Sequence, residues 1–119
     1  MKKIKLAYIG AGPISNFHIP AIKKLGFGVN LFYSRNYIKA KNFAILHKIN
    51  LPEKTFKTFL SKIKNVDAII LSIKTDVTAK YLEKLCKFNK PIFVEKPGAL
   101  NANDLIKIRK IKKSKIFFL

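Results

Sequence analysis

Residues 66–73 read VDAIILSI, an almost unbroken apolar run. A strand with one wet face alternates apolar and polar residues. A run this continuous suits a strand covered on both faces, as in a parallel sheet between two helical layers. The flanking segments follow the same plan. Ile4–Ile9 is apolar with β-branched residues, which predicts a first strand. Pro13–Leu25 spaces Ile14, Phe17, Ala21, Ile22 and Leu25 as one helical face, with Gly26 as its stop.

Alternation continues to the last residue. Gly28–Tyr33 predicts a second strand, and Asn36 an N-cap for a helix over Ile38–His47 with Phe43, Ala44 and Leu46 apolar. Leu51–Lys57 predicts a linker with at most a short third strand at Thr55–Phe56, then a short helix over Thr58–Ile63. After the 66–73 strand, Val77–Phe88 predicts a helix with Val77, Tyr81, Leu82 and Leu85 on one face. Pro91–Val94 predicts a buried strand, Asn101 or Asn103 the cap of a helix through Ile111, and Lys115–Leu119 a final edge strand. Repeated strand–helix units imply an α/β fold, a doubly wound parallel sheet in a single domain. The expected strand order is 3-2-1-4-5-6.

Within that plan, Gly10 and Gly12 fall between a strand and a helix, in AYIGAGPISNFH. There a G-x-G turn can cradle a pyrophosphate. The first glycine permits the tight turn, the second admits the phosphate to the backbone, and the helix start favours negative charge. Ser15 stands in the third glycine place. Pro13 suits a first helical position, where its missing N–H costs nothing. The second strand ends in FYSRN, with no carboxylate for the hydroxyls of an NAD ribose. Ser34 and Arg35 offer a hydroxyl and a guanidinium instead, which suits the 2′-phosphate of NADP. The bland alternative is an exposed arginine in a loop.

Composition narrows the partners. A length of 119 residues fits one domain, and 49% apolar residues can build its core. The net charge of +19 invites a nucleic-acid reading, but the lysines are scattered and arginine occurs only at Arg35 and Arg109. A solvated lysine surface explains the charge, so no specific nucleic-acid partner is expected. The basic start MKKIKLAYIGAG is too short and glycine-broken for a signal peptide. No stretch is long enough for a membrane span. Cys86 alone cannot make a disulfide within the chain; a buried thiol and a cytoplasmic setting are expected. The sequence offers no metal-ligand cluster and no Ser/His/Asp arrangement for hydrolysis.

Three stretches together resemble the N-terminal half of the Gfo/Idh/MocA family, named for glucose–fructose oxidoreductase and inositol dehydrogenase. They are GAGPISNFH at Gly10–His18, with the histidine at the family's spacing, VDAIILSI before a helix, and Phe93-Val94-Glu95-Lys96-Pro97. The last, the E-K-P motif, is the most specific, and the resemblance covers essentially the whole chain. It implies an NAD(P)-binding Rossmann domain of an oxidoreductase acting on a sugar, sugar nucleotide or polyol. Hydride would pass between substrate carbon and nicotinamide C4. Lys96 would assist proton transfer, Glu95 would help hold the site, and Pro97 would follow a cis bond that aims the lysine. The implied cofactor contacts are Gly10, Ala11, Gly12, Pro13, Ile14, Ser34, Arg35, Ser72, Glu95 and Lys96, with NADP favoured and NAD possible. Read bare, Glu95 and Lys96 are also consistent with an ordinary solvated pair.

The chain departs from the family at two places. Lys74 and Thr78 stand where the family usually has proline and histidine, although Thr75 or Asp76 can still start the helix. The family also continues into a substrate domain, so residues 1–119 are expected to be its dinucleotide half, needing a second domain to take a sugar-like substrate. Two alternatives stay open: a stand-alone nucleotide module working with a separate substrate subunit, and an inactive truncated product. The apolar end, KIFFL, predicts self-association through the terminal strand.

Overall fold

The computed structural model describes residues 3–73, 75–95 and 102–119. Five strands are present: β1 (Lys5–Ile9), β2 (Gly28–Tyr33), β3 (Ala68–Leu71), β4 (Ile92–Val94) and β5 (Ile116–Phe118). They form one sheet in the order β2-β1-β3-β4-β5, and every neighbouring pair is parallel. The connections carry helices α1 (Ser15–Lys24), α2 (Tyr37–His47), α3 (Phe56–Ser61), α4 (Thr75–Leu85) and α5 (Ala102–Ile111).

Side chains alternate across the strands and build two cores, one on each face. Leu6, Tyr8, Val29 and Phe32 pack with Ile19 and Ile22 of α1 and Ala40 and Phe43 of α2. Ala7, Ile9, Ile69, Leu71, Ile92 and Val94 face the other way, against Phe59 of α3, Leu82 and Leu85 of α4 and Ile108 of α5. Both faces are covered, which is why β3 tolerates so few polar residues. Cys86 is buried in the second core, as its sequence context predicted, and burial raises its thiol pKa.

Three expectations need correction. No third strand forms at Thr55–Phe56. Thr55 is instead the N-cap of α3, its Oγ1 accepting from Thr58 N at 3.0 Å, so Phe56 opens a helix. The segment does reach the sheet, where Glu53 N donates to Phe32 O at 2.8 Å. Pro52 beside it has no N–H to offer, and the threonine cap turns the chain away. The sheet therefore has five strands, and the remaining order is as expected. The second correction concerns α1, whose inner face is Ser15, Ile19 and Ile22, while Ile14, Phe17 and Leu25 are exposed. Third, α1 starts at Ser15, and Pro13 belongs to a preceding turn closed by Ser15 N to Gly12 O at 3.0 Å and Asn16 N to Pro13 O at 3.1 Å. Elsewhere Asn36 caps α2 as expected, accepting from Lys39 N at 3.0 Å, but Leu46 is exposed.

Candidate functional site

From β1 the chain moves outward to β2, then crosses back to β3 on the other side of β1. Connections leaving in opposite directions open a crevice at the carboxyl ends of β1 and β3, where open parallel sheets bind ligands. Backbone hydrogen bonds carry the sheet's order past the strand ends into this crevice. Gly10 N donates to Tyr33 O at 3.0 Å, Ser72 N to Ile9 O at 2.9 Å, and Glu95 N to Leu71 O at 2.9 Å. Gly10, Ser72 and Glu95 are thereby held at adjacent strand ends.

Gly10 has φ +123°, and a Cβ there would overlap the Ser72 carbonyl oxygen. Only glycine fits where the turn presses against the next strand. Gly12 is different: a Cβ would meet nothing within 4 Å. Space lies open beside its backbone, immediately before the start of α1, whose first turn carries no acidic residue. That is the arrangement a pyrophosphate needs. Ser72 Oγ adds a buried hydroxyl with no hydrogen-bond partner among the described residues. Open backbone and an unsatisfied hydroxyl at one crevice fit a dinucleotide.

Tyr8, in the middle of β1, links the two sides of the site. Its hydroxyl donates to Ser15 Oγ at 2.9 Å and lies 2.8 Å from His18 Nδ1. His18 Nε2 is 3.0 Å from Glu95 Oε2. A chain of polar contacts thus runs from the first turn of α1, through β1 and back through α1, to the end of β4. Placing the Tyr8 proton on Ser15 makes His18 a donor at both nitrogens, charged opposite Glu95. Turning the serine hydroxyl round leaves a neutral ring that still donates Nε2–H to the carboxylate. Burial raises the Tyr8 pKa; the Ser15 hydrogen bond opposes the rise and the Glu95 charge adds to it. The Ser72 side chain also opposes the rise, although its Oγ makes no hydrogen bond among the described residues.

The other sequence candidates fall as follows. Ala11 is buried, Pro13 and Ile14 are exposed in the turn, Ser34 is half-buried and Arg35 exposed just past β2. Thr78, in the family's histidine place, is buried in α4. Lys96, Pro97, Lys74 and Asn101 lie outside the described residues, and Asn103 lies within α5 rather than before it. Sequence reasoning missed Tyr8. Its signal was a lone phenol in the aliphatic run KLAYI, seven residues before Ser15. The His18–Glu95 contact joins residues far apart in sequence, and spacing could not reveal it. Among the described residues, no group of three or more His, Cys, Asp or Glu could hold a metal ion, and no helix is long and apolar enough to cross a membrane.

A family model described as "Oxidoreductase family, NAD-binding Rossmann fold", GFO_IDH_MocA, matches residues 4–116. A search among curated proteins finds no match. Several solved structures are similar. WlbA dehydrogenase from Bordetella pertussis, in complex with NADH and UDP-GlcNAcA, has 20% identity and a TM-score of 0.85 over 99% of this chain and 35% of its own. A Gfo/Idh/MocA family oxidoreductase from Vibrio cholerae has 20% identity and a TM-score of 0.82 over 98% of this chain and 38% of its own. A mutant of KijD10, a 3-ketoreductase from Actinomadura kijaniata in complex with TDP-benzene and NADP, has 19% identity and a TM-score of 0.77 over 92% and 35%. The chain thus spans little more than a third of the length of these structures, and at such identity the likeness establishes the fold. The family match runs over nearly every residue, so the chain belongs to the Gfo/Idh/MocA oxidoreductase family and carries its NAD-binding Rossmann fold.

Proposed function

We propose that this chain is the dinucleotide-binding half of an oxidoreductase acting on a sugar, sugar nucleotide or polyol, and that it prefers NADP(H) to NAD(H). The observation that carries the reading is the crevice between β1 and β3, with Gly10 closed against Ser72 and the backbone at Gly12 left open. Gly10 to Ile14 would hold the pyrophosphate, and Ser72 Oγ would gain the partner it lacks. A bound nicotinamide supplies hydride transfer at its C4. Glu95, tied to β3 through its N–H and to His18 through its carboxylate, fixes the strand end that Lys96 follows in sequence. Lys96 is assigned the proton on the substrate hydroxyl. A second domain or subunit would form the opposite wall and exclude water. Such a wall is also what a sugar nucleotide, the ligand type seen with WlbA, would need.

The cofactor preference rests on FYSRN, where Ser34 and Arg35 follow β2 and no carboxylate does. Titrating NADPH and NADH by fluorescence against the wild type and Arg35→Ala tests it. Loss of a phosphate–guanidinium pair should weaken NADPH binding by about one to two decades and leave NADH unchanged. Equal affinities in the wild type, unaltered by the substitution, would overturn the preference.

A further inference from the structure

We infer that recognition of the 2′-phosphate extends beyond Arg35 to Lys80 and Lys84 of α4, which face it across a cavity. The inference rests on the NADP(H) reading and adds to it two residues on a different element.

The cavity is about 400 Å³ and lies between the end of β2, the start of α3 and the length of α4. Arg35, Phe56, Val77, Lys80, Tyr81 and Lys84 line it. Half of these side chains are cations, and none of the three is paired with a carboxylate among the described residues. Lys80 and Lys84 are four residues apart on α4 and so share one face. The remaining wall is apolar and aromatic. Phe56 and Tyr81 meet edge to face at 4.7 Å, and Lys84 Nζ lies 5.9 Å from the Phe56 ring centroid.

Three like charges around one concavity repel one another, and an anion between them relieves that repulsion. The aromatic wall suits a flat base or the apolar face of a ribose. Among the described residues no carboxylate lines the space, and a carboxylate is the group that recognises an unphosphorylated ribose. Its volume falls within the usual range for small-ligand sites. Burial and the neighbouring Tyr33 raise the Tyr81 pKa to about 12, and the positive charge of Arg35 opposes that rise. A phosphorylated nucleoside, base to the rings and phosphate to the cations, is the ligand class these walls describe.

The test is competitive titration on the full chain with NADPH, NADH, 2′,5′-ADP, 5′-AMP and inorganic phosphate. Lys80→Ala and Lys84→Ala should each weaken NADPH and 2′,5′-ADP by roughly three- to tenfold and leave NADH and 5′-AMP within about twofold. Lys87→Ala, outside the cavity lining, serves as control and should change nothing. NADPH binding that is weakened by Arg35→Ala but survives both lysine substitutions would overturn the inference and leave the cofactor reading standing. Binding of neither dinucleotide would overturn both. Inorganic phosphate competing as well as 2′,5′-ADP would show a plain anion site and sink the claim of nucleotide recognition.

Discussion

Gly10 and Gly12 answer to different constraints. At Gly10 both the positive φ and the Ser72 carbonyl exclude a side chain. Gly10→Ala should therefore lower stability by roughly 2 kcal/mol or more in chemical denaturation. At Gly12 nothing stands in the way of a methyl group. Gly12→Ala should leave stability within about 0.5 kcal/mol of wild type and still weaken dinucleotide binding about tenfold, because the methyl fills space meant for the pyrophosphate. If Gly12→Ala binds normally, the open backbone has no role in holding a ligand. The G-x-G spacing marked both residues in the sequence. It could not separate the glycine that serves the fold from the one that serves the ligand, because the Ser72 carbonyl lies some sixty residues away in the chain.

The elements differ in how far local chemistry sets them. Asn36 caps α2 from within its own turn, so that helix start was readable. Thr55 does the same for α3, yet TF reads as β-prone, and the cap prevailed over the propensity. Removing the cap should expose the competition. Thr55→Ala is expected to cost about 1 kcal/mol and to raise hydrogen exchange at Thr58 and Phe59. Exchange unchanged there would mean that burial of Phe59, not the cap, holds α3 in place. The inner face of α1 was harder to read. Ile14, Phe17 and Leu25 have helical spacing, but Ser15 is drawn inward by the Tyr8 hydroxyl, which turns Phe17 outward.

At the scale of the whole molecule, the sheet of the described residues ends at β2 on one side and at β5 on the other. Beyond β2 the Glu53 segment adds a single rung. At the far side β5 pairs with β4, and Phe117, Phe118 and Leu119 are 44%, 49% and 48% exposed. An apolar edge with unpaired backbone groups invites another strand. The net charge of +19 opposes that contact until salt screens it. Sedimentation velocity should accordingly show more self-association at about 0.5 M than at 0.02 M salt. Phe118→Lys should suppress it. A monomer in both conditions would show that the edge is not a contact surface.

The layer plan was legible from VDAIILSI and the alternating segments because solvent exclusion acts on every residue of a buried strand and leaves its mark locally. The glycine turn, the Asn36 cap and the acid-free end of β2 were legible for the same reason: each is a local demand on backbone or charge. The Tyr8–His18–Glu95 contacts, the Gly10–Ser72 approach and the cavity joining Arg35 to Lys80 and Lys84 were not. Each joins segments that meet only when parallel strands bring their carboxyl ends to one edge, and neither composition nor periodicity records which side chains then face each other.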